Sequence, residues 1–574
     1  MIRKFYYLVF IMLGLQSGFS QTSRNQNLTI CNPLNLNYRF CLDAPSRREA
    51  ADPVIVNFKN EYYLFASKSG GYWHSTNLAD WDFITTPDLP FEDYAPAAVV
   101  MDDTIYFMAS TQTTPLSKIY KSADPKSGKW QVANNAFPFA ITDPDLFLDD
   151  NGRLYLYYGC SDVKPIYGVE LDRNTLMPLG IPVECFNEDS ANNGWERPGD
   201  TNKSKNRPWT EGAWMTKFKG KYYLQYSTPG TEFRSYCDGV YIADSPLGPF
   251  RLMENNPFSY RPGGFATAAG HSATFQDKYG NYWHITTTTI SVKHNFERRL
   301  SLFPAFFNDE ENIYTYTGYG DYPLVLPQNK ADSEEDFFTG WMLLSYKKPI
   351  TASSFLVGHE TVLASDEDIR TYWSANTGNK GEWLSIDLQQ SYSVNALQLN
   401  FAENDTEFFG RNNNQYYQYI VEYSTDGKNW KMLADKSDNK TDAPHDYIVL
   451  EKSVKARYFK VTNLRTPSGT FALSDIRIFG NGNGKGLSEA SAISIIRNET
   501  DRCSVALKWK GDAKATGYNI RYGRTPEQLY LNYQVYGTTE LEINSLSNKG
   551  AYYFTIDSFN ENGITKGTDI KKID

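Results

Sequence analysis

Cysteine and histidine are scarce in this chain, six of each among 574 residues. With no CxxC pair and no histidine-rich spacing, nothing reads as a zinc site. Six cysteines over this length do not make a disulfide scaffold. Cys31 and Cys41 flank a short segment and could pair in an oxidising compartment, while Cys160, Cys185, Cys237 and Cys503 read as structural or idle. Basic runs are also missing. Lys and Arg number 57 against 67 Asp and Glu, a formal net charge of −10. That balance argues against nucleic acid and leaves neutral glycans compatible. Beyond the N-terminus no apolar run approaches the roughly 20 residues that span a bilayer, so no membrane span is expected. At the N-terminus, Arg3 and Lys4 precede an apolar run, Phe5 to Leu15, and the small residues around Gly18 and Ser20. This reads as an export signal over residues 1–20. No cysteine follows it, so a lipoprotein is not indicated and a periplasmic or extracellular product is expected. Long amphipathic helical patterns are scarce too, whereas aromatics make up 15% of the chain, with 41 Tyr. Aromatic residues suit pleated, half-buried surfaces, so an all-β protein of several domains is expected.

What is present is a repeat. One hairpin recurs five times, as ADPVIVNFKNEYYLFAS from Ala51, APAAVVMDDTIYFMAS from Ala95 and TDPDLFLDDNGRLYLYYG from Thr142, then EGAWMTKFKGKYYLQYS from Glu211 and GHSATFQDKYGNYWHITTT from Gly270. Each copy is an apolar run, a polar turn and an alternating strand. Repetition on this scale predicts a five-bladed β-propeller over residues 21–329, completed by the strands between Arg298 and Pro327. In a propeller the same slot of every blade faces one axis. Here the slot holds Asp52, Ala95-Pro96, Asp143, Glu211 and His271.

Two further units follow. A polar, acidic stretch, Asn329 to Asp336, suits a linker. Residues 337–480 contain ITASSF, ASDEDIRTYWSA, GEWLSIDLQQ, YIVEYSTDGKNWKML and LSDIRIFG. These motifs resemble the discoidin or coagulation factor 5/8 type C jelly roll, a carbohydrate-binding module in many secreted enzymes. The resemblance implies a structural calcium ion in the loop from Ala364 to Trp373, with Asp366, Thr371 and Asp475 as oxygen ligands. Trp373, Trp383 and Trp430 read as core rather than sugar platforms. The Asn481–Gly486 run reads as a flexible linker by composition. Residues 487–574 hold short, regularly spaced strands of a small β-sandwich and resemble a fibronectin type III domain, a spacer or partner contact, with Trp509 and Tyr518 on early strands.

The chemistry lies in the repeat. Asp-Pro is a common turn dipeptide, so each acid taken singly could be structural. Three carboxylates sharing an axial pocket would repel one another, and such a cluster calls for acid–base work or cation binding. Ala51-Asp52-Pro53, Thr142-Asp143-Pro144 and Thr210-Glu211-Gly212 resemble the motifs of glycoside hydrolase family 43. That resemblance covers about Asn32 to Pro327. It implies an inverting glycosidase with Asp52 as general base, Glu211 as general acid and Asp143 as the residue that tunes the acid. It also implies His271 beside an axial metal or water. Inversion needs an acid at the leaving oxygen and a base activating water, roughly 6.5–9.5 Å apart. Asp143, as a like charge, would keep Glu211 protonated. Trp73, Trp209 and Trp214 are candidate sugar platforms, though aromatics also fill the gaps between blades. Arg298 and Arg299 follow the fifth hairpin, and one of the pair is expected to face the pocket. No cofactor is required for the chemistry.

The expected activity is removal of arabinose or xylose from plant polysaccharides, foremost as an α-L-arabinofuranosidase. The alternatives are a β-xylosidase, a galactofuranosidase or exo-galactanase, and a non-catalytic glycan-binding protein. Truncation after about Lys330 is expected to spare activity on soluble substrates unless the jelly roll packs on the propeller.

Overall fold

Three of the repeated hairpins turn through two residues with positive φ or through Lys-Gly: Lys59-Asn60, Asp102-Asp103 and Lys219-Gly220. That is the turn hand matching the twist of paired strands. The other two use longer loops opened by Asp149 and Asp277 and ended by Gly152 and Gly280, both at positive φ. The computed structural model describes residues 28–43, 47–111, 117–406, 411 and 414–574. The expected export signal lies outside the described residues.

Four of the five hairpins grow into four-stranded antiparallel sheets, and the fifth into a six-stranded sheet. The first contains Ala51–Phe58, Glu61–Ser67, Tyr72–Ser75 and Asp82–Ile84. The second runs from Ala97–Met101 to Gln131–Asn134, the third from Asp145–Leu148 to Val183–Phe186, and the fourth from Glu211–Phe218 to Arg251–Leu252. The fifth, Gly270–Gln276, Tyr282–Thr289 and Arg298–Phe307, also takes Ile313–Thr315 and the early strands Arg39–Phe40 and Arg48–Glu49. The first strand of each sheet packs on the first strand of the next, and the fifth returns to the first. The ring is thus a closed five-bladed propeller. Leu28–Ile30 pairs antiparallel with Leu324–Leu326 and ties the two ends of the ring region together.

The middle unit is an eight-stranded jelly roll around the long strands Trp383–Phe401 and His445–Arg465. Trp373 is fully buried in its core, while Trp383 and Trp430 are half-buried. The last unit is a two-sheet sandwich. Ser491–Arg497, Val505–Lys510 and Glu540–Ile543 form one sheet, and the other is built on Gly517–Gly523 and Tyr552–Asn560. Val505–Lys510 alternates buried and exposed at every residue, as the period of two requires. The only helical segments among the described residues are short 3₁₀ turns.

The three units are packed together, which corrects several expectations. Arg48 of the propeller is wholly buried and pairs with Glu403 at 2.6 Å and Asp442 at 2.7 Å, both in the jelly roll. Trp195, Cys237 and Tyr260 of the propeller share one core with Trp509, Tyr518 and Ile520 of the sandwich. Tyr319 and Tyr322, Phe479 and Phe559 bring all three units into a third core. The sandwich is therefore docked rather than a spacer. Both expected linkers are held as well: Ala331 N–H donates to Asn281 Oδ1 at 2.8 Å, and Gly482 N–H donates to Glu561 O at 2.7 Å. The condition attached to the truncation, packing of the jelly roll on the propeller, is met. All six cysteines are free: Cys31 and Cys41 bond Asp321 O and Glu49 Oε2 instead of each other.

Candidate active site

The axial slot is made by a repeated backbone kink. Asp52, Ala95, Asp143, Gly212 and His271 all have positive φ at the blade starts. In three blades the register slips there, between Ala51 and Val54, Glu211 and Trp214, and Gly270 and Ala273. Such bulges re-aim side chains at sheet ends. The pairing of Ala51 with Ser67 matches that of Glu211 with Ser227 and of Gly270 with Thr287. Glu211 thus stands one residue earlier than Asp52, Asp143 and His271, a correction to the single shared slot read from the sequence. The kink in the fourth blade falls on Gly212. A Cβ there would sit 2.7 Å from Ser227 Oγ and 3.0 Å from His271 Cγ, so glycine alone fits.

Around the axis the side chains meet. His271 Nδ1 lies 3.2 Å from Asp52 Oδ1 and 3.8 Å from Asp143 Oδ2. Asp143 in turn stands with Glu211 and Cys160 in a group whose polar atoms lie within 4.8 Å of one another. Asp52 accepts from Ser67 Oγ at 2.5 Å and from Arg298 Nη1 at 2.9 Å. Arg298 is held from behind by Glu49, through Nε at 3.0 Å, and by Thr231 Oγ1 at 3.1 Å. Ser110 Oγ donates to Asp143 Oδ1 at 3.2 Å. Glu211 accepts from the Tyr236 hydroxyl at Oε1, 2.5 Å, and from the Cys160 thiol at Oε2, 3.1 Å.

These surroundings divide the acids. Burial alone would raise the pKa of Asp52, but Arg298, His271 and Ser67 together hold it below its ordinary value. Asp143 has no arginine. Burial, reinforced by Glu211 and Asp52, pushes it up to about 7 despite His271 and Ser110. His271 loses something to burial, yet Asp52, Asp143 and Glu211 raise its pKa above the ordinary imidazole value. The carboxyl groups around the ring stabilise its protonated form.

The expected site residues separate accordingly. Arg298 faces the pocket. Arg299, next on the strand and so on the opposite face, bonds Arg48 O and His445 Nε2 and joins the jelly roll interface. Trp73 is fully buried against Phe83, and Trp214 is half-buried with its indole N–H on Thr274 O, so both fill blades and neither is a sugar platform. Trp209, two residues before Glu211, is 47% exposed and free to stack. Asp366 accepts from Thr371 Oγ1 at 2.8 Å, while Asp475 accepts Glu367 N–H through Oδ2 and leaves Oδ1 buried without a partner. Cys160, expected to be idle, touches Glu211. Tyr236, Ser67 and Glu49 were not singled out from the sequence. Ser67 carried a signal: the repeated hairpins end in Ser67, Ser110, Gly159, Ser227 and the threonine run containing Thr287.

Residues 46–311 match the model of Glycosyl hydrolases family 43, and residues 349–475 match the F5/8 type C domain. A β-D-galactofuranosidase of Aspergillus niger is 29% identical over 161 residues, covering 27% of this chain and 39% of the relative. A xylosidase/arabinosidase of Bacteroides ovatus is 26% identical over 206 residues, covering 31% of this chain and 56% of the relative. The matches thus span about two fifths to little more than half of these relatives. A solved structure described as a glycoside hydrolase is 18% identical with a TM-score of 0.45, covering 75% of this chain and 97% of its own.

Proposed function

We propose that the propeller hydrolyses glycosidic bonds with inversion, acting on arabinose- or xylose-containing plant polysaccharides. The observation that carries this reading is the pair of opposite states in one pocket: Asp52 held ionised by Arg298, and Asp143 raised to about 7 beside Glu211. Asp52 is the general base that activates water, Glu211 the general acid that protonates the leaving oxygen, and Asp143 the neighbour that governs the acid. His271, 3.2 Å from Asp52 and 3.8 Å from Asp143, is the residue assigned to the axial metal or water. Trp209 is the remaining candidate for stacking on the sugar. The match to the family 43 model over residues 46–311 supports the reading.

Within that class we favour an α-L-arabinofuranosidase. An arabinofuranosyl unit shares its ring size with the substrate named for the galactofuranosidase relative and its five carbons with those named for the xylosidase/arabinosidase relative. Digestion of arabinans, arabinoxylans and arabinogalactans, with the released sugars identified, tests this. Release of xylose or galactose alone would move the specificity, and no release at all would sink the enzyme reading. The product is exported to the periplasm or beyond, which cell fractionation checks.

The jelly roll binds glycan or braces the propeller, and we assign its calcium to Asp366, Thr371 and Asp475. The buried, unpartnered Asp475 Oδ1 supports that fit, as does Asp366, which burial pushes up to about 6 for want of a countercharge. A chelator should lower the melting temperature and added Ca²⁺ restore it; an unchanged melting curve would remove the ion. The last unit is read as fibronectin type III-like, supported by its three-stranded sheet facing a larger one.

A further inference from the structure

At four of the five blade starts, the N–H of the residue with positive φ donates to a hydroxyl at the end of the previous blade's second strand. Asp52 donates to Thr287 Oγ1 at 2.9 Å, Ala95 to Ser67 Oγ at 2.7 Å, Asp143 to Ser110 Oγ at 2.8 Å and His271 to Ser227 Oγ at 2.7 Å. The fourth start breaks the series. The counterpart of Ser110 on the third blade is Gly159, whose N–H bonds Thr142 O just as Ser110 N–H bonds Tyr94 O. Glycine offers Gly212 no hydroxyl. The third and fourth blades are joined instead by a backbone bridge, Ser161 with Thr210, at 3.1 and 2.9 Å.

The break lies where Asp143 meets Glu211, and the residue next to Gly159 fills it. Cys160 Sγ reaches Glu211 Oε2 at 3.1 Å, opposite the Tyr236 hydroxyl on Oε1. Burial, then Asp143 and Glu211, raises the thiol pKa, so the sulfur keeps its proton and acts as a donor. Both oxygens of Glu211 are therefore oriented, one by a hydroxyl and one by a much weaker donor.

Resting on the reading of Glu211 as general acid, we propose that Cys160 is a positioning residue for it. The thiol fixes the rotation of the carboxyl group towards the leaving oxygen. Because S–H bonds weakly, it does so without holding the carboxylate form as firmly as a hydroxyl would.

The test compares Cys160→Ala and Cys160→Ser with the wild type on an unactivated arabino-oligosaccharide and on a nitrophenyl glycoside, with full pH–rate profiles and melting temperatures. Cys160→Ala should lose about tenfold to a hundredfold in kcat on the oligosaccharide and little on the nitrophenyl substrate, which needs little protonation. Its alkaline limb should move to higher pH. Cys160→Ser should recover kcat and move the limb to lower pH. Equal losses on both substrates with the limb unmoved would make Cys160 a mere filler and overturn its role alone. A wild type that turns over no glycoside would overturn the acid reading, and this role with it.

Discussion

Arg298 Nη1 lies 2.9 Å from Asp52 Oδ1, and both side chains are buried. The same guanidinium is anchored on Glu49, which Arg47 also grips, at 2.8 Å. This chain of paired charges fixes the ionised form of Asp52 inside a pocket that would otherwise favour neutral acids. Asp143 sits across His271 with no arginine and rises to about 7. One pocket thus holds two carboxyls in different protonation states, the condition for dividing acid and base roles.

Asp52→Asn should lower kcat by about 10²–10⁴ on natural and activated glycosides alike, since no carboxylate is left to activate water. Glu211→Gln should lose natural linkages but keep much more turnover on nitrophenyl glycosides, whose leaving group needs little protonation. Steady-state kinetics on both substrate classes separates the roles. Near-wild-type turnover by the Asp52 variant would refute the base assignment.

The pH profile should be asymmetric. Asp52 works ionised and its pKa is held below the ordinary value of 3.8, so activity should persist until the pH falls through that depressed value. Asp143 loses its proton near 7, and its negative charge then holds the proton on Glu211, so the alkaline limb of kcat/KM should lie above that point. Asp143→Asn removes that like charge and should bring the alkaline limb to lower pH while lowering the maximum. A profile whose alkaline limb is the same in the variant would dissociate Asp143 from it.

The architecture was legible because hairpin chemistry is local: turns such as Lys59-Asn60 and the alternation of Val505–Lys510 lie within a few residues. Asp52, Asp143 and Glu211 were legible because the repeat aligns them. The one-residue offset of Glu211 was not, since it depends on a bulge that only pairing reveals. Cys160 escaped because its partner lies 51 residues away and thiols carry no motif. The domain interface escaped for the same reason: 355 residues separate Arg48 from Glu403, and composition alone made Asn481–Gly486 look free.

Asp145 links stability to pH. Its Oδ2 accepts the Met215 N–H at 2.7 Å, joining the third and fourth blades, and burial pushes its pKa up to about 8. The folded state therefore holds a proton that the unfolded chain releases near 3.9. Its contribution is fully present below that value and is lost as the pH rises through about 8. Asp145→Asn mimics the protonated acid and should flatten the loss of melting temperature between pH 5 and 8. Parallel melting curves for the two proteins over that range would refute the assignment.

Arg48 should prove a sensitive position for cohesion of the chain. It is wholly buried, and its two carboxylate partners, Glu403 and Asp442, belong to another domain. Replacing it by methionine keeps the volume but strands two buried acids, a change that costs about 3–5 kcal/mol. Because Tyr319, Tyr322, Phe479 and Phe559 also share one core, the domains should unfold together, in one calorimetric transition that Arg48→Met shifts as a whole. Truncation near Lys330 should then yield an insoluble or inactive propeller, because it bares Trp195, Tyr260 and Tyr322 and removes the acids that neutralise Arg48. Separate transitions, with only one displaced in Arg48→Met, or a soluble truncated propeller with full activity, would show that the interface is dispensable.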